Sequence, residues 1–298
     1  MQPDFEAVLK EYASLLRPWL DAPKVRTPRI NTLPDSLRAA VEPHVGRPVV
    51  VKLGGSVGPG ETVLQEVAGL QAIGVLPLLV HGGGPLITDW LARVGKETRF
   101  VEGLRHTDAE TLDVARMVLI GLVNSQLVAQ LGALGAKALG LSGADGRLLL
   151  ASVRDERLGF VGEVEHVNLA VVTLLLGQGY VPVIAPIAVS AAGQCLNVNA
   201  DTVAGVVAAA IGAEELIFLT DVPGIQDAAG ARLARLTPAE CAALAAEGVI
   251  HGGMLPKVDA CRRAAEAGAT SQIVDGRVPY ALLRALCVPA SGGTVIAA

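Results

Sequence analysis

Six short runs rich in apolar residues constrain this chain most: PVVVKL at residues 48–53, VLPLLV at 75–80, KALGLS at 137–142, VPVIAPI at 181–187, LIFLTDV at 216–222 and TSQIVDG at 270–276. Each is too short for a typical helix, and several are continuously apolar rather than alternating, the mark of strands buried on both faces. Segments with helical periodicity lie between them, one of them over residues 61–73. Strands joined by helices pair in parallel, because a parallel connection needs a crossover of helical length. The expected fold class is therefore α/β: a mainly parallel sheet with helices on both faces. Such sheets bind ligands outside the carboxyl ends of their strands.

Composition narrows the class further. At 298 residues the chain suits one large α/β domain or two lobes sharing a core. No stretch approaches the roughly 18–20 continuous apolar residues of a bilayer span, and TVAGVVAAAIGA at 202–213 reads as a buried helix. The start is acidic and amphipathic, without a secretory pattern. The four cysteines, Cys195, Cys241, Cys261 and Cys287, lack metal-site spacing and read as small residues of a protein in a reducing compartment. A net charge of −5 with no basic block argues against nucleic acid as a partner. A cytoplasmic protein without membrane contact is expected. Residues 1–45 stand apart: an apolar stripe over 5–20 predicts a helix, a proline-containing linker follows, and LPDSLRAAVEPHVG at 33–46 has room for a second short helix. The first helix needs a cover, either its own domain or another subunit.

Chemistry-bearing residues gather in five places, four of them just past a strand. KLGGS holds Lys52, Gly54 and Gly55, and VHGGGP holds Gly83 and Gly84. Lysine is a poor residue for a buried strand, and consecutive glycines let backbone approach a ligand and aim several N–H groups at one anion. An esterase oxyanion loop also uses HGGG, but the nucleophile elbow it requires is missing. EGLRHTD supplies Arg105, whose planar fork suits a carboxylate or phosphate, just before a helix cap at Thr107 or Asp108. NVNADTVAG offers Asn197, Asn199 and Asp201 at the start of an apolar helix, where capping needs only one of them. HGGMLPKV places Lys257 after two glycines and a proline, before a helix expected to begin near Val258. Two lysines far apart in sequence, each beside a glycine loop, suggest two cations closing on one polyanion. The P-loop, Rossmann and protein-kinase signatures are absent from the sequence.

With these residues in view, the ordered series VVKLGG, VHGGGP, GLRHTD, LGLSGADG, GFVGEV, VPVIAPI, NVNADTVAG, LTDVPGI, HGGMLPKV and VDGRV resembles the acetylglutamate kinase branch of the amino acid kinase family, from about residue 48 to 294. The resemblance implies a three-layer α/β/α sandwich in two lobes, an amino-acid-substrate lobe over 46–212 and a nucleotide lobe over 213–298, with 1–45 as an N-terminal helical extension. It implies ATP-dependent phosphorylation of the side-chain carboxylate of N-acetyl-L-glutamate, on the route to arginine. Lys52 and Lys257 would stabilise the transferring phosphoryl group, and Asp201 would orient both. Gly55, Gly83 and Gly84 would donate backbone N–H groups, and Gly54 and Gly55 would lie at the phosphates. Arg105 and Asn197 would hold the acetylated amino acid. Thr220, Asp221, Val222, Gly224 and Ile225 would line the nucleotide site, with residues near 248–251. Mg²⁺ would ride on the phosphate oxygens, with no cage of protein ligands.

The implied chemistry agrees with the residues. A carboxylate acceptor is already ionised near neutral pH, its ordinary pKa being about 4.3, so no general base is needed. The obstacle is one anion meeting another, which positioned cations and amides relieve. The nearest rivals are the lysine-pathway paralogue acting on a carrier-linked aminoadipate and a non-catalytic amino-acid sensor. Keeping all of Lys52, Asp201 and Lys257 argues against the sensor. GLVNS at 121–125 lacks two lysines of the family's pattern, and Gln272, Tyr280 and Arg284 depart from the pattern of arginine-inhibited relatives. A homodimer is expected, with a hexamer through the N-terminal helix as the alternative.

Overall fold

The structure, a computed structural model, describes residues 35–54, 61–101, 103–290 and 292–297. The helix predicted over 5–20 and the site candidate Gly55 lie outside the described residues. The short helix expected within 33–46 is Asp35–Val41. The strands are β1 (Pro48–Leu53), β2 (Leu76–His81), β3 (Phe100–Val101), β4 (Leu104–Arg105), β5 (Ala138–Ser142), β6 (Leu149–Val153), β7 (Gly162–Val167), β8 (Val181–Ala185), β9 (Ile187–Val189), β10 (Cys195–Asn197), β11 (Glu215–Thr220), β12 (Arg235–Leu236), β13 (Thr270–Asp275) and β14 (Gly293–Ile296).

Eight of these form one sheet in the order β12-β14-β13-β11-β1-β2-β8-β5. Its pairings are parallel except β13 with β14. β1 is the turning point, with β2 on one side and β11 on the other, so the crevice outside its carboxyl end is where a ligand is favoured.

Strand alternation decides what each β1 residue meets. Val49, Val51 and Leu53 enter a core layer with side chains of helices Glu61–Ala72, Ser125–Ala133 and Ala281–Cys287. Val50 enters the opposite layer, under helices Ala170–Gly177, Ala200–Ile211 and Met254–Glu266. Lys52 shares the parity of Val50, which directs it toward Ala200–Ile211. Each fully buried Val or Leu stabilises by about 1.5–3 kcal/mol. A buried lysine costs energy unless it is paired, so Lys52 requires a partner from that helix.

Three sequence expectations need correction. VPVIAPI is two strands: Pro186 has no N–H to continue the ladder, so β8 stays in the main sheet and β9 turns into a second sheet, ordered β10-β9-β6-β7. The helix expected near Val258 begins at Met254 and carries Pro256 in its first turn, where a missing N–H is tolerated. The absence of a long apolar span holds for sequence runs but not for helices. Ala109–Ala133 is, among the described residues, one helix long and apolar enough to cross a membrane. Its Leu112, Val114, Ala115, Val118, Leu119, Leu127 and Leu131 are buried against the rest of the fold, so one face of the helix packs on the domain. Its middle, Met117–Asn124, is π-helical.

Candidate active site

Asp201 lies in the first turn of helix Ala200–Ile211, whose cap is Asn199: the Asn199 side chain accepts from the N–H groups of Asp201 and Thr202. With capping done by Asn199, the Asp201 carboxylate is free for other partners, and it takes both lysines. Lys52 Nζ lies 2.7 Å from Asp201 Oδ1, and Lys257 Nζ lies 3.0 Å from Asp201 Oδ2. Lys257 also donates to the Gly253 carbonyl at 3.1 Å. Burial alone would push the Asp201 carboxyl up; the Lys52 and Lys257 ammonium groups outweigh it and hold it below the usual carboxylate range. Two ammonium groups against one carboxylate leave one net positive charge at the end of β1. A buried ion triad is a weak source of stability. An anion-binding role accounts for it better.

The triad opens on a cleft of about 320 Å³, walled by Lys52, Asp201, the glycine loop Gly82–Gly84, Phe100, Arg105 and Asn197. Arg105 ends β4 and is 9% exposed. Its guanidinium donates to the Gly84 carbonyl at 2.9 Å, to Thr88 Oγ1 at 3.0 Å and to Thr98 Oγ1 at 3.2 Å, and stacks 4.9 Å from the Phe100 ring centre. Asn197 donates to Thr107 Oγ1 at 3.2 Å, while the Thr107 hydroxyl donates to the Arg105 carbonyl at 2.8 Å. Thr107 therefore ties the Asn197 side chain to the backbone of Arg105, the two residues proposed to hold the amino acid. Asp108, the second of the two expected caps, caps the following helix by accepting from Thr111 N–H at 2.9 Å.

Gly83 and Gly84 open helix Gly84–Arg93, whose first N–H groups have no partners within the helix. Gly54 donates to the Leu219 carbonyl at 2.9 Å, and a Cβ there would stand 2.9 Å from that oxygen. Glycine at 54 thus lets the ends of β1 and β11 meet.

Beyond β11, Thr220 is buried and its hydroxyl donates to Asp221 Oδ1 at 3.2 Å. Asp221 is exposed and Val222 half-buried. Gly224 has φ +125°, and a Cβ there would lie 2.6 Å from Thr294 Oγ1. Ile225 is 2% exposed and donates its N–H to Thr294 Oγ1 at 2.8 Å, so it anchors the loop in the core. The cleft brings together Lys52, Gly83, Gly84, Arg105, Asn197 and Asp201, and Lys257 joins through Asp201. The 220–225 loop does not line it.

Sequence reasoning missed Thr88, Thr98 and Thr107 as supports of Arg105. Thr107, two residues from Arg105 beside a helix start, carries a local signal. Thr88 and Thr98 meet Arg105 only through the tertiary fold. Among the described residues no three His, Cys, Asp or Glu side chains gather into a metal site.

The amino acid kinase family profile matches residues 47–275. An acetylglutamate kinase of Methanothrix thermoacetophila is 46% identical over 264 residues, covering 83% of this chain and 91% of the relative. An acetylglutamate kinase of Prochlorococcus marinus is 44% identical over 304 residues, covering 96% of this chain and 97% of the relative. Among solved structures, the Streptococcus mutans protein smu.665 superposes with a TM-score of 0.73 at 28% identity, covering 84% of this chain and 98% of that one. A carbamate kinase from Giardia lamblia, at 17% identity and a TM-score of 0.63, shares the fold. The family match spans the strands and loops that carry Lys52, the glycine loop, Arg105, Asp201 and Lys257, and on this ground the chain belongs to the amino acid kinase family.

Proposed function

We infer that the protein is an acetylglutamate kinase, transferring the γ-phosphoryl group of ATP to the side-chain carboxylate of N-acetyl-L-glutamate in arginine biosynthesis. Relatives of that name at 42–46% identity support the substrate. The observation that carries the chemistry is the buried Lys52–Asp201–Lys257 triad, with its excess positive charge, at the end of β1.

In this reading the acceptor lies in the cleft with its α-carboxylate toward Arg105 and its amide toward Asn197. Its side-chain carboxylate then points at the glycine loop and Lys52. ATP supplies the phosphoryl group from the β11 side, past Gly54, Gly55 and the 220–225 loop. Lys52 and Lys257 offset charge on the oxygens in transfer while Asp201 fixes where their ammonium groups stand, so no proton need move. Mg²⁺ would be carried on the phosphates, since both Asp201 oxygens are engaged by lysines. Residues 46–212 act as the acceptor lobe and 213–298 as the nucleotide lobe, closing across the main sheet. We also propose a homodimer, supported by Met117, Ile120 and Leu122, large apolar residues on the exposed face of the Ala109–Ala133 helix. Light scattering should then read twice the 30.5 kDa chain mass, and a monomer would refute it.

A coupled ADP-release assay tests the function with N-acetylglutamate, aspartate, free glutamate and carrier-linked aminoadipate as acceptors. Turnover with N-acetylglutamate should exceed the others by about a hundredfold or more in kcat/KM, since a site built to hydrogen-bond its substrate rejects analogues lacking that group by about 10⁴–10⁵. Preference for the carrier-linked acceptor would assign the chain to the lysine-pathway reaction instead.

A further inference from the structure

His81 ends β2 directly before the glycine loop and is 1% exposed, yet it does not line the cleft. Its Nδ1 lies 2.9 Å from the Gly82 carbonyl, which can only accept, so Nδ1 carries a proton. Its Nε2 lies 3.1 Å from Asn124 Nδ2. The same Nδ2 lies 2.9 Å from the Val183 carbonyl, which again can only accept. The Asn124 amide therefore presents its NH₂ to both, and Nε2 of His81 is the bare acceptor of a neutral ring. Burial pushes the imidazole down to about 4, with the charge of Lys52 on the neighbouring strand adding to the effect.

Other contacts fix the same arrangement. A Cβ at Gly140 would stand 1.9 Å from Asn124 Oδ1, so glycine there leaves the amide its room. A Cβ at Gly83 would stand 2.7 Å from Leu119 Cδ2, so Leu119 backs the loop from the same side. Leu119 and Asn124 both come from the π-helical Met117–Asn124. Residues five apart diverge around an α-helix but lie closer to one face in the wider π turn, a device frequent at functional sites. The motif GLVNS, which the proposed chemistry leaves without a role, thus supplies Asn124 and, through Val123 Cγ2 at 3.5 Å from a Cβ at Gly83, part of the wall behind the glycine loop.

We propose that Asn124 is a positioning residue for phosphoryl transfer: it fixes His81 as the neutral Nδ1–H tautomer, which grips the Gly82 carbonyl and holds the Gly83 and Gly84 amides toward the cleft. The proposal rests on the kinase reading above. It adds a second support to the glycine loop, acting through His81 and touching neither substrate.

The test has two arms. Long-range ¹H–¹⁵N NMR on ¹⁵N-histidine protein, without substrate, should show His81 protonated at Nδ1 alone from pH 6 to 8; a proton on Nε2 would overturn the proposal. In kinetics, Asn124→Leu should lower kcat by roughly ten- to a hundredfold while KM for N-acetylglutamate and ATP stays within about threefold, as expected of a misplaced donor. Should Asn124→Leu fail to fold, Asn124→Asp keeps the shape. Its carboxylate calls for a proton on Nε2, so a titrating imidazolium should appear at His81 together with a similar loss of kcat. His81→Asn, which keeps a donor at the Nδ1 position, should retain more kcat than His81→Leu. Wild-type kcat in a folded Asn124→Leu, Asn124→Asp or His81→Leu variant would overturn the proposal. The NMR arm needs no substrate, so an error in the acceptor would show as an inactive wild-type protein and leave the tautomer result standing.

Discussion

Gly205 lies against Ala260 so closely that a Cβ on the glycine would stand 2.7 Å from the Ala260 Cα. This contact sets the distance between helices Ala200–Ile211 and Met254–Glu266, one turn from the residues that matter. Asp201 and Lys257 each lie about one turn before the crossing, and the close approach lets their side chains meet at 3.0 Å.

Replacing Gly205 with alanine separates the two consequences of that contact. Helix propensity gains about 1 kcal/mol, while overpacking costs roughly 1–3 kcal/mol, so the net loss lies between nothing and about 2 kcal/mol, a few degrees of melting temperature at this chain length. The helices must still move apart, carrying Lys257 from Asp201. The expected outcome is a loss of kcat of about tenfold with a melting temperature within a few degrees of wild type, measured by the ADP-release assay and calorimetry. Unchanged kcat would dissociate the helix crossing from the site.

Arg105→Ala removes the planar fork from the acceptor end of the cleft and leaves the triad intact. KM for N-acetylglutamate should rise by about tenfold or more while KM for ATP stays nearly constant. A selective loss of ATP affinity would contradict the assignment.

Thr107→Val keeps the side-chain shape and deletes the hydroxyl that joins the Arg105 carbonyl to Asn197. Unpaired buried groups cost about 1–3 kcal/mol each, and Thr107 is fully buried. Lower stability and a severalfold rise in acceptor KM are expected together. A drop in stability alone would reduce Thr107 to a structural residue.

Stability should also depend on pH through a group remote from the site. Glu66 is fully buried, accepts from the Leu283 N–H at 2.8 Å, and burial pushes its carboxyl up to about 8. Unfolded, it ionises at the ordinary carboxylate value near 4.5. Because the folded value is the higher one, its stabilising contribution is complete below about pH 4.5 and is lost as pH rises toward 8. Glu215, pushed up to about 7 by burial, acts in the same direction. Glu66→Gln should therefore melt near wild type at pH 5 and above it at pH 8. An equal shift at both pH values would show that Glu66 does not titrate across this range.

The architecture was legible because the strands of the main sheet are short apolar runs set between helical segments. PVVVKL predicted β1 to the residue. The split of VPVIAPI at Pro186 was legible in principle, since proline ends a ladder. The second sheet was not, because β9 and β10 are three residues long and too short to show a period. At the site, odd residues past strand ends pointed to Lys52, Arg105, Asp201 and Lys257, and the cleft or the triad holds all four. The supports of those residues were hidden. Thr88, Asn124 and Gly205 look ordinary in sequence, and only tertiary contacts give them partners. The 220–225 loop, expected at the nucleotide, lies outside the described cleft, with Ile225 directed into the core.

The turnover of Lys52→Ala and Lys257→Ala, each measured by ADP release with N-acetylglutamate and ATP at saturation, tests the central claim most directly. Loss of either ammonium group should lower kcat by on the order of 10²-fold or more, as when a donor to developing charge is removed. Near-wild-type turnover in both variants would contradict a transfer step stabilised by two lysines held on Asp201.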